Sequence, residues 1–406
     1  MRMRIVRLFI CLFILMMINA CKPFYSQKSS PNDVIKIGFA YPYELDQEIK
    51  KSKGLFMAVK EMNAKGGIKG KKIVVTAIDD YGTVTGGLKA AHHLIADQNV
   101  LAVSGHYNSR VAKAVIPLYQ KSGVPFITSG VTSPNLFKEK QSFIFRNIPN
   151  DKLVIEEMFK HIQSLNIRNI AVFYADDEFG QGVANSVTEL SEKYKLQLID
   201  KTSEINLNNI DYLLKRWEAL DCEAVVIGDI FHKAKDIVAY IHQKRPDLIL
   251  ISTSSFNFTG VESIFEQNSV LQTSSLQKNP ATSKMLVERN TNRLQKNSDV
   301  NILIPTHFNY LSNDEMIKSF ILRYKQLYRE EPNFFSVLAY DSTMLIIQAM
   351  ENCNEITREN IAVELSAIKN YNGISGHLTC QYNGEFTGNN IYLLTIKNGK
   401  LCLIDQ

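Results

Sequence analysis

IAVFYADDEFGQGVANSVTELSEKYKLQLIDK, residues Ile170 to Lys201, sets the architecture of this chain. Ile170 to Tyr174 is an unbroken apolar run of strand length. Gly182 to Lys195 repeats its apolar residues at helical spacing, and Leu196 to Lys201 returns to strand character. Two strands separated by a helix of more than about ten residues cannot form a hairpin. They need a crossover, which makes the sheet parallel and puts helices on its faces.

The pattern continues in both directions. Downstream come a helix over Asp211–Leu220, a strand over Ala224–Ile227, a helix over Lys233–Lys244 and a strand over Leu248–Ser252. Upstream, Ile35–Ala40, Lys72–Ile78, Val100–Ser104 and Val124–Thr128 read as strands. Lys53–Asn63, Gly87–Asp97 and Val111–Ser122 read as the helices between them. Two such series predict an α/β protein of two doubly wound parallel-sheet lobes. Residues 260–300 are weakly patterned and predict a loop-rich insertion with a helix near Ser283–Lys296. Strand character resumes at Asn301–Ile304, helices follow over Asp314–Arg329 and Phe334–Glu351, and three short strands end the chain at Gly376–Gln381, Ile391–Lys397 and Lys400–Ile404. Asn383-Gly384 and Asn398-Gly399 between them are hairpin turns.

The first residues are of another kind. Arg2, Arg4 and Arg7 precede an apolar run, Leu8 to Ile18, that is too short to span a bilayer and fits a secretory signal. Ile18-Asn19-Ala20-Cys21 resembles a bacterial lipobox, which implies cleavage after residue 20 and a lipid on the Cys21 sulfur; ordinary signal cleavage is the alternative. Residues 21–33 are polar, with Pro23, Ser26, Ser29, Ser30 and Pro31, and read as a tether. The leader's three arginines account for three of the formal net charge of +5, so no concentrated basic patch is left to argue for nucleic acid. No Cys or His spacing suits a metal, no phosphate-cradling loop appears, and neither a nucleophile elbow nor a zinc-protease motif is present. The expectation is a protein without cofactor or metal, and not an enzyme. Cys380 and Cys402 on neighbouring strands either pair or remain buried thiols.

Open parallel sheets bind ligands beyond the carboxyl ends of their strands. The residues there are Tyr41 and Tyr43, Asp79 to Tyr81, His106 to Ser109, and Gly130 to Thr132. In the second series they are Asp176, Asp177 and Phe179, then Asp229, Ile230 and Phe231, then Ser254 to Phe256. Hydroxyls, free backbone groups and aromatic walls suit a small polar solute. Ser109 precedes a helix and Thr132 lies in a Gly-Val-Thr-Ser-Pro turn. Such positions offer backbone N–H groups to a carboxylate, or simply cap helices. His92-His93 point apart on a helix, and Asp79-Asp80 suit turn chemistry.

Several stretches together resemble the leucine-binding-protein family of type I periplasmic binding proteins, the receptors of branched-chain amino-acid ABC importers. These are Asn63-Ala64-Lys65-Gly66-Gly67-Ile68-Lys69-Gly70, Val103-Ser104-Gly105-His106, Gly123-Val124-Pro125, Thr132-Ser133-Pro134, Tyr174 to Gly182, Ala339-Tyr340-Asp341 and the stretch from Gly376. The resemblance implies a type I fold whose lobes join through three hinge strands, near Arg146-Asn147, Phe308-Asn309 and Asn372-Gly373. Lobe 1 is then 34–146 plus 310–372, and lobe 2 is 147–309 plus 373–406. It implies capture of a small carboxylate-bearing solute, an amino acid or an organic acid, for an ABC permease, from a lipid anchor outside the cytoplasmic membrane. A sensor that reports to a membrane partner is the alternative.

By the family pattern Ser109 and Thr132 hold the ligand carboxylate and the Gly130 carbonyl accepts from its amine. Phe179 covers the ligand and Ile230 or Phe231 lines the second lobe; Tyr43 and Asn108, from their places after strands, complete the first. Two departures stand out. Ser254 occupies the position where relatives often carry the acid that pairs with the ammonium, so either Asp177 or Asp229 substitutes or the ligand is not an α-amino acid. Tyr81 and Asn108 lie where some relatives have a cysteine pair.

Overall fold

The computed structural model describes residues 34–46, 50–203, 205–206, 208–257, 261 and 302–404. The leader, Cys21, the tether and the expected helix at Ser283–Lys296 lie outside these residues. The strands are β1 Val34–Tyr41, β2 Lys72–Asp79, β3 Val100–Gly105, β4 Phe126–Thr128, β5 Ile144–Arg146, β6 Asn169–Tyr174, β7 Gln197–Ser203, β8 Ala224–Gly228, β9 Ile249–Ile251 and β10 Ile302–Thr306. Five more follow: β11 Tyr371–Gly373, β12 Gly376–Cys380, β13 Phe386–Asn389, β14 Tyr392–Lys397 and β15 Lys400–Leu403. The helices that position the site are α1 Lys51–Ala64, α2 Val84–Ala96, α3 Ser109–Lys121, α4 Asp151–Ser164, α5 Glu178–Tyr194, α6 Ile210–Ala219 and α7 Phe231–Lys244. Behind them lie α8 Glu315–Tyr328, α9 Phe334–Asn352 and α10 Arg358–Ala367.

The first sheet runs β2-β1-β3-β4-β5, and its β1–β3, β3–β4 and β4–β5 pairings are parallel. The second runs β15-β14-β10-β9-β8-β6-β7, parallel from β10 to β7, with β14 and β15 added antiparallel at the edge. Both sheets reverse their winding direction beside the first strand of their series, at β1/β3 and at β6/β8. A doubly wound sheet opens a crevice at that point.

Each lobe has its own core. Ile37, Phe39 and Ala102 of the first sheet pack with Leu345, Ile346 and Met350 of α9. Ile170, Val172 and Val226 of the second pack with Val154, Phe159 and Val187. The helix α9 is buried over most of its length, including its polar Ser336, Asp341, Ser342 and Thr343. Gly54 lets α1 lie directly on it: a Cβ there would meet the Ser336 carbonyl oxygen at 1.9 Å.

The return of the chain differs from the sequence reading, which begins the last lobe 2 segment at 373. The antiparallel sheet β11-β12-β13 buries Leu378, Cys380 and Phe386 against Phe145 and Ile346 in the first core. Glu385 in its turn forms an ion pair with the buried Arg146. The chain therefore stays with lobe 1 through Asn389 and crosses at Asn390–Ile391 before β14. Two side-chain networks tie the crossings together. Asn147 accepts from Asn389 Nδ2 at 3.2 Å, and the His307 ring meets the Asn390 carbonyl at 3.3 Å. Cys380 and Cys402 fall in different sheets, and both are free thiols.

Candidate functional site

Between the carboxyl ends of the two sheets lies a cavity of about 240 Å³. The first lobe contributes Glu44, Leu45, Tyr107, Asn108, Ser109, Arg110, Gly130, Thr132 and Phe335 to its wall. The second contributes Asp151, Asp177, Phe179, Ile230, Lys233, Thr253, Ser254 and Ser255. Of the residues expected from the sequence, Asn108, Ser109, Gly130, Thr132, Asp177, Phe179, Ile230 and Ser254 are in this wall. Tyr43, Asp229 and Phe231 are not. Tyr43 sits in a short 3-10 turn, with its ring 4.6 Å from that of Tyr41 and its N–H bound to Asp79. The Asp229 carboxylate folds back onto the Ile230 N–H at 2.7 Å. Phe231 turns into the core, edge-on to Phe256 at 5.4 Å.

The anion-binding side is the start of α3. Its N-cap is Asn108 rather than Ser109, and no side chain caps it. The Asn108 Oδ1 atom is buried without a partner. First-turn N–H groups and the positive end of the helix dipole thus face the cavity uncovered. Ser109 Oγ accepts from the Ser133 N–H at 3.3 Å, so its own proton is free to donate.

The opposite side is acidic. Asp151, the first residue of α4, is buried on the cavity wall, and its Oδ2 has no partner. Burial pushes its carboxyl up to about 7, against the pull of a hydrogen bond from the Thr132 hydroxyl and the charge of Arg146. Donation to Asp151 leaves Thr132 Oγ1 as an acceptor toward the cavity. Thr132 is held there by its backbone: its carbonyl accepts from Asp151 N–H at 3.0 Å, and Arg146 donates to the carbonyls of Val131 and Ser133 at 3.3 and 2.7 Å.

Ser254 is an acceptor by a similar argument. Burial holds the His307 imidazole down at about 4, so it is neutral. Its Nδ1 faces the Asn390 carbonyl at 3.3 Å and must carry the proton. Nε2 then accepts from the Ser254 hydroxyl at 3.2 Å, which leaves Ser254 lone pairs for a guest.

Asp177, one expected partner for an ammonium, is instead occupied: its Oδ1 caps α5 through the Phe179 and Gly180 N–H groups at 3.1 and 3.0 Å. Its neighbour Glu178 bridges the lobes, bonding Lys113 of α3 at 2.7 Å and the Ser133 hydroxyl at 3.1 Å. The Asp79-Asp80 pair serves the turn. Asp80 is bound by the buried His106 at 2.7 Å and by the Gly82 N–H, and Asp79 accepts from Tyr81 N–H. Among the described residues no three His, Cys, Asp or Glu side chains converge on a metal site.

The family described as periplasmic binding protein matches residues 35–253 and 277–400. The chain belongs to the periplasmic binding protein family. Among curated relatives it is 29% identical to the leucine-specific-binding protein of Salmonella typhimurium over 137 residues, 34% of this chain and 37% of that one. It is also 29% identical to glutamate receptor 2.1 of Arabidopsis thaliana over 131 residues, 32% of this chain and 14% of the receptor. The chain thus spans well under half the length of either. A substrate-binding protein of an ABC transporter from Desulfitobacterium hafniense, solved with Leu, superposes with a TM-score of 0.75 at 20% identity, covering 91% of this chain and 99% of that one. Type I periplasmic binding proteins have two α/β lobes around a cleft, as found here. No described helix of this family member is long and apolar enough to cross a membrane.

Among the wall residues of this periplasmic binding protein that escape the sequence reading, Asp151 and Phe335 do so for different reasons. Asp151 follows the first crossing directly, at the start of α4, a helix that the sequence reading leaves unassigned. Phe335 comes from the far end of the chain, and no local signal points to the cleft.

Proposed function

We propose that this protein is an extracytoplasmic solute-binding protein that closes two lobes on an amino acid and presents it to an ABC permease. In this reading it binds and does not catalyse. The observation that carries it is a pair of opposite poles on one cavity. The uncapped start of α3 with the Ser109 hydroxyl forms one; the free Asp151 oxygen with the acceptor sides of Thr132 and Ser254 forms the other. A carboxylate and an ammonium on one carbon are the simplest guest for such a pair.

Ser109 and the backbone around Thr132 take the carboxylate. Asp151 takes the ammonium role, while the Asp177 Oδ1 caps α5 and the Asp229 carboxylate turns onto the Ile230 N–H. Phe179 and Ile230 close over the guest from the second lobe. The complex of the Desulfitobacterium hafniense protein with Leu supports the same ligand class. Cys21, lipidated after removal of residues 1–20, holds the protein at the membrane through the tether 21–33.

A thermal-shift series of amino acids and organic acids on the detergent-solubilised protein tests this. A bound solute at roughly 100 times its Kd adds about 2.7 kcal/mol of stability. Ser109→Ala combined with Thr132→Ala takes one hydroxyl from each pole and abolishes that shift with the fold intact; an undiminished shift refutes the two-pole assignment. Sensing through a membrane partner is the second reading, favoured by the similarity to a plant glutamate receptor. Stimulation of a reconstituted permease's ATPase by the liganded protein decides against it.

A further inference from the structure

Lys51, the first residue of α1, is 1% exposed, and its ammonium has no hydrogen-bond partner among the described residues. An unpaired buried ammonium is among the costliest features a fold can carry. Its surroundings do not relieve it. The Tyr107 ring centroid is 5.5 Å from Nζ, a weak cation–π contact. Two carboxylates act on it from a distance, Asp80 after β2 and Asp46 before α1. Asp80, however, is engaged by His106 and the Gly82 N–H, and Asp46 by the backbone and hydroxyl of Ser52. Burial lowers the ammonium to about 7, against those two charges.

The position of Nζ matters as much as its isolation. It lies against Gly130 and Tyr107, both wall residues of the cavity. A Cβ at Gly130 would come within 2.7 Å of Nζ and 3.0 Å of the Tyr107 ring, so the glycine is what lets the ammonium lie directly behind the wall at this corner. Gly130 is two residues from Thr132, where the guest's main-chain end is held.

We propose that Lys51 is a specificity-determining residue for an anionic group at the far end of the guest, which makes the ligand an acidic amino acid. The proposal rests on the amino-acid reading of the cleft and adds a third pole to it. A side-chain carboxylate reaching the Gly130 corner supplies the partner that the protein withholds from Lys51. Charge-assisted bonds between ammonium and carboxylate in a dry site are the strong ones.

Titration calorimetry of the detergent-solubilised full-length protein with L-glutamate, L-glutamine and L-leucine tests this directly. Glutamate and glutamine differ by one charge at nearly equal size, so the parent protein needs no variant to answer. The expected result is tighter binding of glutamate than glutamine by at least roughly tenfold. Lys51→Met removes that preference while leaving glutamine within about twofold, and its melting temperature is no lower than the parent's because an unpaired charge has gone. Leucine or glutamine bound as tightly as glutamate overturns the Lys51 assignment and leaves the cleft reading standing. Equal weakening of all ligands by Lys51→Met overturns it too. Failure to bind any of the three, in a folded protein, removes the amino-acid reading and this proposal with it.

Discussion

Asp151 shows how a single residue changes meaning between chain and fold. Along the chain it is one acid after Asn150 in a stretch to which the sequence reading assigns no element; the structure makes it the first residue of α4, where acids are common. Folded, it accepts from the Thr132 hydroxyl, and its Oδ2 is buried without a partner in a residue of the cavity wall. Its unfolded carboxyl ionises near 3.8 and its folded one near 7, so the folded state binds the extra proton between those values. Ionisation there works against the fold. This contribution to stability falls as pH rises from about 4 to about 7, with a slope of at most about 1.4 kcal/mol per pH unit. Asp151→Asn removes that component. The difference between parent and variant urea-unfolding free energies is expected to grow across this window in favour of the variant, and then level off. An ammonium guest needs the ionised acid, so leucine or glutamate affinity, read through this residue, tightens from pH 5 to 7 in the parent and loses that slope in Asp151→Asn. Ser109, Thr132 and Ser254 are legible in the sequence as strand-end residues with hydroxyls. Their donor or acceptor roles are not, because Ser133, Asp151 and His307, which fix those roles, are remote in the chain.

The start of α5 carries two separate tasks on adjacent residues. Asp177 caps the helix, so Asp177→Ala is expected to cost about 1 kcal/mol in the absence of any ligand, measured by chemical denaturation. Glu178 reaches across the cleft to Lys113 and Ser133, contacts available only between lobes that have come together. Glu178→Ala should therefore weaken ligand affinity several-fold without changing the ligand's preference order, because the closed form is less populated. Calorimetry on the variant checks this. Long elements such as α1, α5 and α9 are legible within a few residues from periodicity. The strands β5 and β13, of three and four residues, are not, nor is α10. Three or four residues contain no usable period, and α10 buries only Ile361, Ala362 and Leu365, too few to mark a face. Such elements exist because a neighbouring strand or core accepts them.

For the whole molecule the testable consequence is closure. Small-angle scattering of the detergent-free Cys21→Ser protein is expected to show a smaller radius of gyration with ligand than without, and no change in the Ser109→Ala, Thr132→Ala double variant. The alternation of apolar runs and amphipathic stretches already commits the chain to two doubly wound sheets, because a parallel pair admits no other connection. It also points to the carboxyl ends of those strands, where the cavity lies. The third crossing at Asn390, the turning away of Tyr43, Asp229 and Phe231, and the unpaired Lys51 and Asp151 arise from contacts between residues far apart in the chain. Periodicity is a local property and fixes elements. Which buried charge finds a partner depends on packing across the cleft, which no local pattern encodes.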